Sequence, residues 1–279
     1  MRITIRHRGP AVFAALALVA CANAFAQTTT TTPTSQPTPV PPSGMSDRLF
    51  LAFAQDAVIV PSQWWEGQAE YDDGAQDIPV DVLLARAVVA FQPFRNIEVG
   101  GRVGFGTTDA DPSLPDGSGA TDLDAYAKYF FGGAADRADF TAGALVTVPT
   151  GDDNVGLGYN AFALGGFGAA RYRLDSAVIG GNVGVRFNGD GDLLGFAIDG
   201  KTSFQLGVSA LVPMGNAFSF VGEAQIETER FDGFDSTADL LVGANWKAFG
   251  RGMLRGAFGV GLTDSSPNFR AIVGYAYSF

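Results

Sequence analysis

Two side chains that carry much of enzyme chemistry are almost missing from this chain. Its 279 residues hold one histidine and one cysteine, His7 and Cys21. Both fall in residues 1–26, which read as an export signal. "MRITIRHR" is a cationic start, "PAVFAALALVA" a short apolar run, and "AFA" before Gln27 a small-x-small cleavage pattern. Cleavage after Ala26 leaves a chain with neither imidazole nor thiol. That excludes Ser-His-Asp and Cys-His nucleophiles, Cys/His zinc sites and disulfides, so no enzyme and no cofactor is expected. Leu18-Val19-Ala20-Cys21 also fits a lipoprotein signal, with Cys21 as the lipidated first residue. The Ala-Phe-Ala triplet favours the cut after Ala26.

Basic residues are also scarce. Losing Arg2, Arg6 and Arg8 takes Lys+Arg from 18 to 15 against 29 acids, a formal charge of −14. So acidic a surface argues against nucleic acid as a partner. No apolar run reaches the roughly 18 residues of a membrane helix, although 47% of residues are hydrophobic. The apolar residues must therefore be dispersed in short pieces. Gly 37 and Phe 23 are abundant, and charged residues make up only 17%, a balance that suits turns and strands better than helices. Residues 27–47 begin with "QTTTTTPTSQPTPVPPSG", too rich in Thr and Pro to build a core, and read as an extended tether.

From residue 62 onward the pattern has period two. In "KTSFQLGVSALV", Thr202, Phe204, Leu206, Val208, Ala210 and Val212 share one face, opposite Lys201, Ser203, Gln205, Gly207 and Ser209. Such alternation marks strands with one apolar and one polar face. About twelve are expected, from 62–72 to 268–279, including 121–132 and 159–173. Long acidic connections such as "DADPSLPDGSG" and "GDGDLLGFAID" alternate with short ones such as "PFR", "LD" and "GNA". Long loops at one end and tight turns at the other characterise outer-membrane barrels.

A soluble β-sandwich also alternates, but its polar face is the wet exterior. Here the polar face is glycine-rich with mixed charges. Aromatics near strand ends, among them Trp65, Phe91, Phe131, Phe187, Trp246 and Phe279, suit girdles at two lipid boundaries. The expected fold is all-β: a transmembrane antiparallel up-and-down barrel of about twelve strands over residues 48–279, in a Gram-negative outer membrane. Tyr275, Tyr277 and Phe279 would lie on the lipid face of its last strand. That ending resembles the signal read by the outer-membrane assembly machinery.

Lys128-Tyr129, Pro149-Thr150-Gly151-Asp152 and Asn182-x-Gly184 carry a further likeness. Residues 119–187, roughly a quarter of the chain, resemble the outer-membrane family labelled for the MetA pathway of phenol degradation. That resemblance implies a barrel linked to uptake of aromatic compounds.

If the apolar faces meet lipid, the other faces line a lumen. Its candidate lining charges are Glu66, Glu70, Arg86, Glu98, Arg102, Lys128, Arg171, Arg186, Lys201, Glu223, Glu227, Lys247, Arg255 and Arg270. They could select solutes in a water-filled pore or fill a narrow barrel with ion pairs. Eight strands enclose mainly side chains and sixteen leave a channel, so twelve falls between. Small residues, including Gly104, Gly106, Gly184, Gly207 and Gly259, favour open space. Glu223, Glu227 and Glu229 lie along a line, which does not make an acid–base site. Asn188, Asp190, Asp192 and Asp199 follow a calcium-loop spacing but lack its glycine at position 6 and its final Glu. No dedicated metal site is expected; the acidic loops read first as solvated segments kept soluble by charge, and next as carboxylates that share divalent cations with lipopolysaccharide. "RLFLAFAQDAVIVP", 48–61, fits none of the strands: it could be a periplasmic stub, a plug in the lumen or an extra strand. Passive, porin-like passage of small solutes, apolar or aromatic ones included, is the expected role. The alternative is a structural or surface-interaction barrel without transport.

Overall fold

The computed structural model describes residues 47–60, 63–75, 79–110, 114–131 and 137–279. The expected signal, its two cleavage sites and the tether up to residue 46 lie outside the described residues.

Alternation produces the expected strands. They are β1 (Gln63–Asp73), β2 (Val80–Phe94), β3 (Ile97–Ala110), β4 (Gly117–Ala120), β5 (Leu123–Phe130), β6 (Ala138–Val148), β7 (Ala163–Arg173) and β8 (Val178–Asn188). After them come β9 (Gly191–Leu193), β10 (Phe196–Ile198), β11 (Thr202–Met214), β12 (Phe218–Glu227), β13 (Thr237–Ala248), β14 (Gly252–Gly261) and β15 (Phe269–Ser278). Successive barrel strands pair antiparallel, and β1 pairs with both β2 and β15, so the sheet closes with no free edge. β4 and β5 both pair with β3 and together make one stave, while β9 and β10 form a separate hairpin in a long loop. The wall thus has twelve staves.

The stave expected at 121–132 is present as β5, but it begins earlier, with β4 at 117–120 set before a break at 121–122. Phe105 pairs with Ala120 but Arg102 pairs with Asp124, a one-residue shift that marks a β-bulge at 121–122. Polar side chains cause it. Thr121 Oγ1 accepts the Gly104 N–H at 2.8 Å, and the Asp122 carboxylate accepts the N–H groups of Gly151 at 2.9 Å and Tyr159 at 3.1 Å. The second of those bonds holds 159 in the loop, which is why β7 starts at Ala163 and not at 159.

Short connections, 95–96, 174–177, 215–217 and 249–251, gather at one rim, and the long ones at the other. Gly215 takes the left-handed φ of 71° that its tight turn requires. In the wall the faces segregate. On β11, Ser203, Gln205 and Leu211 are buried, whereas Phe204, Leu206 and Val208 are more than half exposed, at 60%, 53% and 58%. Leu83, Val89, Phe105, Phe187, Phe258 and Val273 are likewise exposed on the outside. Glu66, Glu98, Lys128, Ser203 and Arg255 are buried inside. Water would penalise such a surface on both sides: greasy area stays wet while charges are dried.

Candidate functional site

The segment left open by the alternation occupies the lumen. Residues 47–60 pack inside the short-turn half of the barrel as a plug, which settles the choice among stub, plug and strand. Phe50, Ala52, Ala54, Ala57, Val58, Ile59 and Val60 are all buried. Phe50 packs on Leu211, Val221, Leu241, Ala257 and Ile272; Ala54, Val58 and Val60 pack on Trp64, Val88, Tyr126 and Phe167. Gly243 makes room for this, since a Cβ there would sit 2.8 Å from the Phe50 ring.

Polar bonds fix the plug at both ends. The Glu223 carboxylate accepts the backbone N–H of Phe50 at 2.5 Å and of Leu51 at 2.8 Å. Arg255 donates to the carbonyls of Arg48 and Leu49 while holding Glu66 at 2.6 Å, and its guanidinium lies 4.4 Å from the Phe50 ring centre. Farther along, Lys128 Nζ stands 2.6 Å from Asp56 and 3.3 Å from Glu98. Glu98 also takes Arg48 at 3.3 Å, the Tyr126 hydroxyl at 2.7 Å and the Val60 N–H at 2.8 Å. Arg171 reaches Asp47 at 3.3 Å and Asp139 at 2.5 Å.

Above the plug the lumen widens into a charged chamber. One cavity of about 240 Å³ lies against Phe50, Leu51, Phe53, Ala54 and Gln55. A second, of about 420 Å³, lies beneath the loop residues Leu157 and Tyr159. Both share a belt that includes Arg86, Arg102, Arg186, Glu227, Arg230, Asp239 and Arg270. Within it Arg86 pairs with Glu70 at 2.7 Å, Arg270 with Asp72 at 2.7 Å, Arg102 with Asp124 at 2.6 Å and Arg230 with Glu227 at 3.8 Å. The long loops build an apolar cap over the chamber from Val80, Ala161, Leu193, Leu194, Ile198 and Phe231, with Tyr159 stacked on Phe231 at 5.0 Å.

The expected lumen charges therefore fall into three groups. Glu66, Glu98, Lys128, Arg171, Glu223 and Arg255 surround the plug. Glu70, Arg86, Arg102, Arg186, Glu227 and Arg270 line the chamber. Lys201 and Lys247 do not line either: Lys247 is exposed near the turn after β13, and Lys201 bonds Asp232 at 2.6 Å and Glu229 at 3.0 Å among the long loops. There the hydrogen bond from Lys201 holds the Asp232 carboxyl below its ordinary value. Alternation gives the side of the wall but not the height along it, so rim and interior were not separable.

The small lumen residues do not all leave open space. A Cβ on Gly106 would come within 2.5 Å of Leu84, and one on Gly207 within 2.5 Å of Asn182, so neighbouring side chains already fill those gaps. Asn188, Asp190 and Asp192 are engaged separately, with Lys201, Gly200 and Asn160, and among the described residues no three such ligands converge. Tyr275, Tyr277 and Phe279 lie on the outer face at the short-turn rim. Tyr275 meets Trp65 edge-on at 5.9 Å, Tyr277 meets Phe279 at 5.4 Å, and the Phe279 N–H bonds Gln63 O at 2.9 Å across the seam.

Sequence reasoning missed Arg48, Asp56, Tyr126, Arg230 and Asp239. Tyr126 shares the parity of Asp124 and Lys128, a signal that was present. Within the mostly apolar 48–61, Arg48 and Asp56 are the charges, a cue that the segment must find counter-charges. Arg230 lies beyond the last alternating residue of β12, and nothing in its surroundings marks it.

Solved structures share this architecture. The COG4313 outer-membrane channel from Pseudomonas putida F1 is similar with a TM-score of 0.69 at 18% identity, over 81% of this chain and 98% of that one. The KdgM porin in complex with disordered oligogalacturonate gives 0.53 at 11% identity, over 77% and 99%. The NanC porin gives 0.54 at 9%, over 77% and 100%. No protein-family model and no curated protein matches the sequence, so the likeness to the MetA-pathway family rests on its short motifs alone. At these identities the likeness establishes the fold alone: a closed antiparallel β-barrel of twelve staves.

Proposed function

We propose that this chain is an outer-membrane channel that passes small solutes through a lumen narrowed by its own segment 47–60. The observation that carries this reading is the charged chamber lying between the loop cap and the plug. A barrel serving only as a structural element has no need of a polar internal volume. In this reading the short-turn rim faces the periplasm and the acidic loops face outward, toward lipopolysaccharide and its divalent cations. Export runs through residues 1–26, and assembly through the closing strand. The family resemblance adds apolar or aromatic compounds as the solute class. Support for the channel itself comes from the COG4313 channel and the two porins, which share the fold.

The plug also favours a second reading, a barrel that does not transport. Planar-bilayer recording of the purified full chain, with ions and then a panel of aromatic acids, separates the two. Discrete steps altered by particular solutes support the channel. A silent bilayer containing folded barrel supports the structural role.

A further inference from the structure

Nearly every charge in the chamber has a partner of opposite sign. Arg186 on β8 is an exception: among the described residues it makes no hydrogen bond and no ion pair. The charges acting on it come from Arg230, Glu227, Asp124 and Arg102. Glu227 and Asp124 are already committed, to Arg230 and to Arg102. The cluster around Arg186 thus carries three guanidinium groups and two carboxylates, one positive charge in excess. A half-buried guanidinium costs desolvation that only a counter-charge offsets. Asp239, the other chamber charge without a partner among the described residues, does not supply it. It stands on β13, two strands beyond β11, among Arg270, Asp72, Glu70 and Glu227.

We propose that Arg186 is an anion-binding residue and that the ligand it takes is a small monocarboxylate entering from the loop side. The proposal rests on the lumen being a solute path and names the solute's chemistry. A guanidinium presents two parallel N–H groups that match a carboxylate fork. The single excess charge suits a monoanion. On the far wall Glu70 and Asp72 are balanced by Arg86 and Arg270, so the unpaired Asp239 leaves one negative charge that repels the carboxylate and orients it toward β8. Val82, Leu84 and Leu157 line the same cavity and offer apolar surface to a carbon skeleton. The volume of about 420 Å³ lies within the roughly 300–1,000 Å³ of small-molecule sites.

Isothermal titration of the purified full chain, folded in detergent at low ionic strength, tests this with sodium benzoate and its neutral isostere benzamide. Saturable benzoate heat that weakens with added salt is expected, with none from benzamide. Arg186→Gln should weaken benzoate binding about tenfold, the loss of one charge-assisted bond pair. Arg186→Lys should weaken it less, and Arg137→Gln, at an exposed pair with Asp175, not at all. Heat-modifiable migration checks that each variant is folded. If Arg186→Gln does not fold, Arg186→Lys decides, because binding equal to wild type overturns the fork. No saturable heat, equal binding of benzamide, or an unchanged Arg186→Gln also overturns the site. Titration needs no transport, so benzoate heat from a barrel silent in bilayers would remove the channel reading and leave this site standing.

Discussion

At the scale of single residues, the plug-facing charges are where stability is most exposed to substitution. Lys128 and Glu98 are essentially without solvent contact, and Lys128 neutralises both Glu98 and the plug's Asp56. Removing one member of a buried ion cluster leaves uncompensated charge, which costs about 3–5 kcal/mol. Lys128→Met should lower barrel stability by that order, read as an earlier urea midpoint in lipid vesicles. Arg137→Gln, at a solvated pair, should not move the midpoint measurably. An unshifted Lys128→Met would mean that water reaches the cluster. The sequence made these residues legible only in part. Parity placed Glu98 and Lys128 on the inner face, but nothing local announces that Glu223 receives amides 172 and 173 residues upstream. Partners so distant in sequence leave no periodic trace.

At the scale of elements, alternation carried the twelve staves because each must satisfy two solvents at once. It was blind wherever backbone geometry departs from period two. The bulge at 121–122 interrupts the alternation, so β4 at 117–120 reads as part of the acidic loop before the strand. The hairpin β9–β10 is too short for alternation to register, and it turns through Leu194 and Gly195 at positive φ values of 53° and 80°. The closing strand β15 was the plainest element, ending on exposed Val273 and Phe279. Phe279 is also a seam residue, because its N–H bonds Gln63 O where the first and last strands meet. Deleting Phe279 removes a closing hydrogen bond and an outer aromatic ring. The fraction of heat-modifiable barrel recovered from outer membranes should then drop. Recovery equal to wild type would refute the assignment of this residue to assembly.

At the scale of the whole molecule, the barrel and its plug are separable in charge even though they share a core. Without 47–60, the wall keeps most of its pairs: Glu98 with Lys128, Glu66 with Arg255 and Asp139 with Arg171 all join residues of the wall itself. Glu223 loses the N–H groups of Phe50 and Leu51, Glu98 loses that of Val60, and Glu223 would then face water rather than a dry core. The apolar contacts of Phe50, Val58 and Val60 are forfeited, at about 1.5–3 kcal/mol for each large side chain buried. The closed hydrogen-bond ladder is untouched. A chain lacking residues 47–60 should therefore still fold into a heat-modifiable barrel with a lower transition temperature. Its emptied half should fill with water and join the chamber above, giving larger and steadier single-channel steps than the full chain. Folded deletion barrels with steps no larger than wild type would place the constriction in the loop cap of Leu193, Leu194 and Phe231. Transport would then be governed from the loop side and not by the plug.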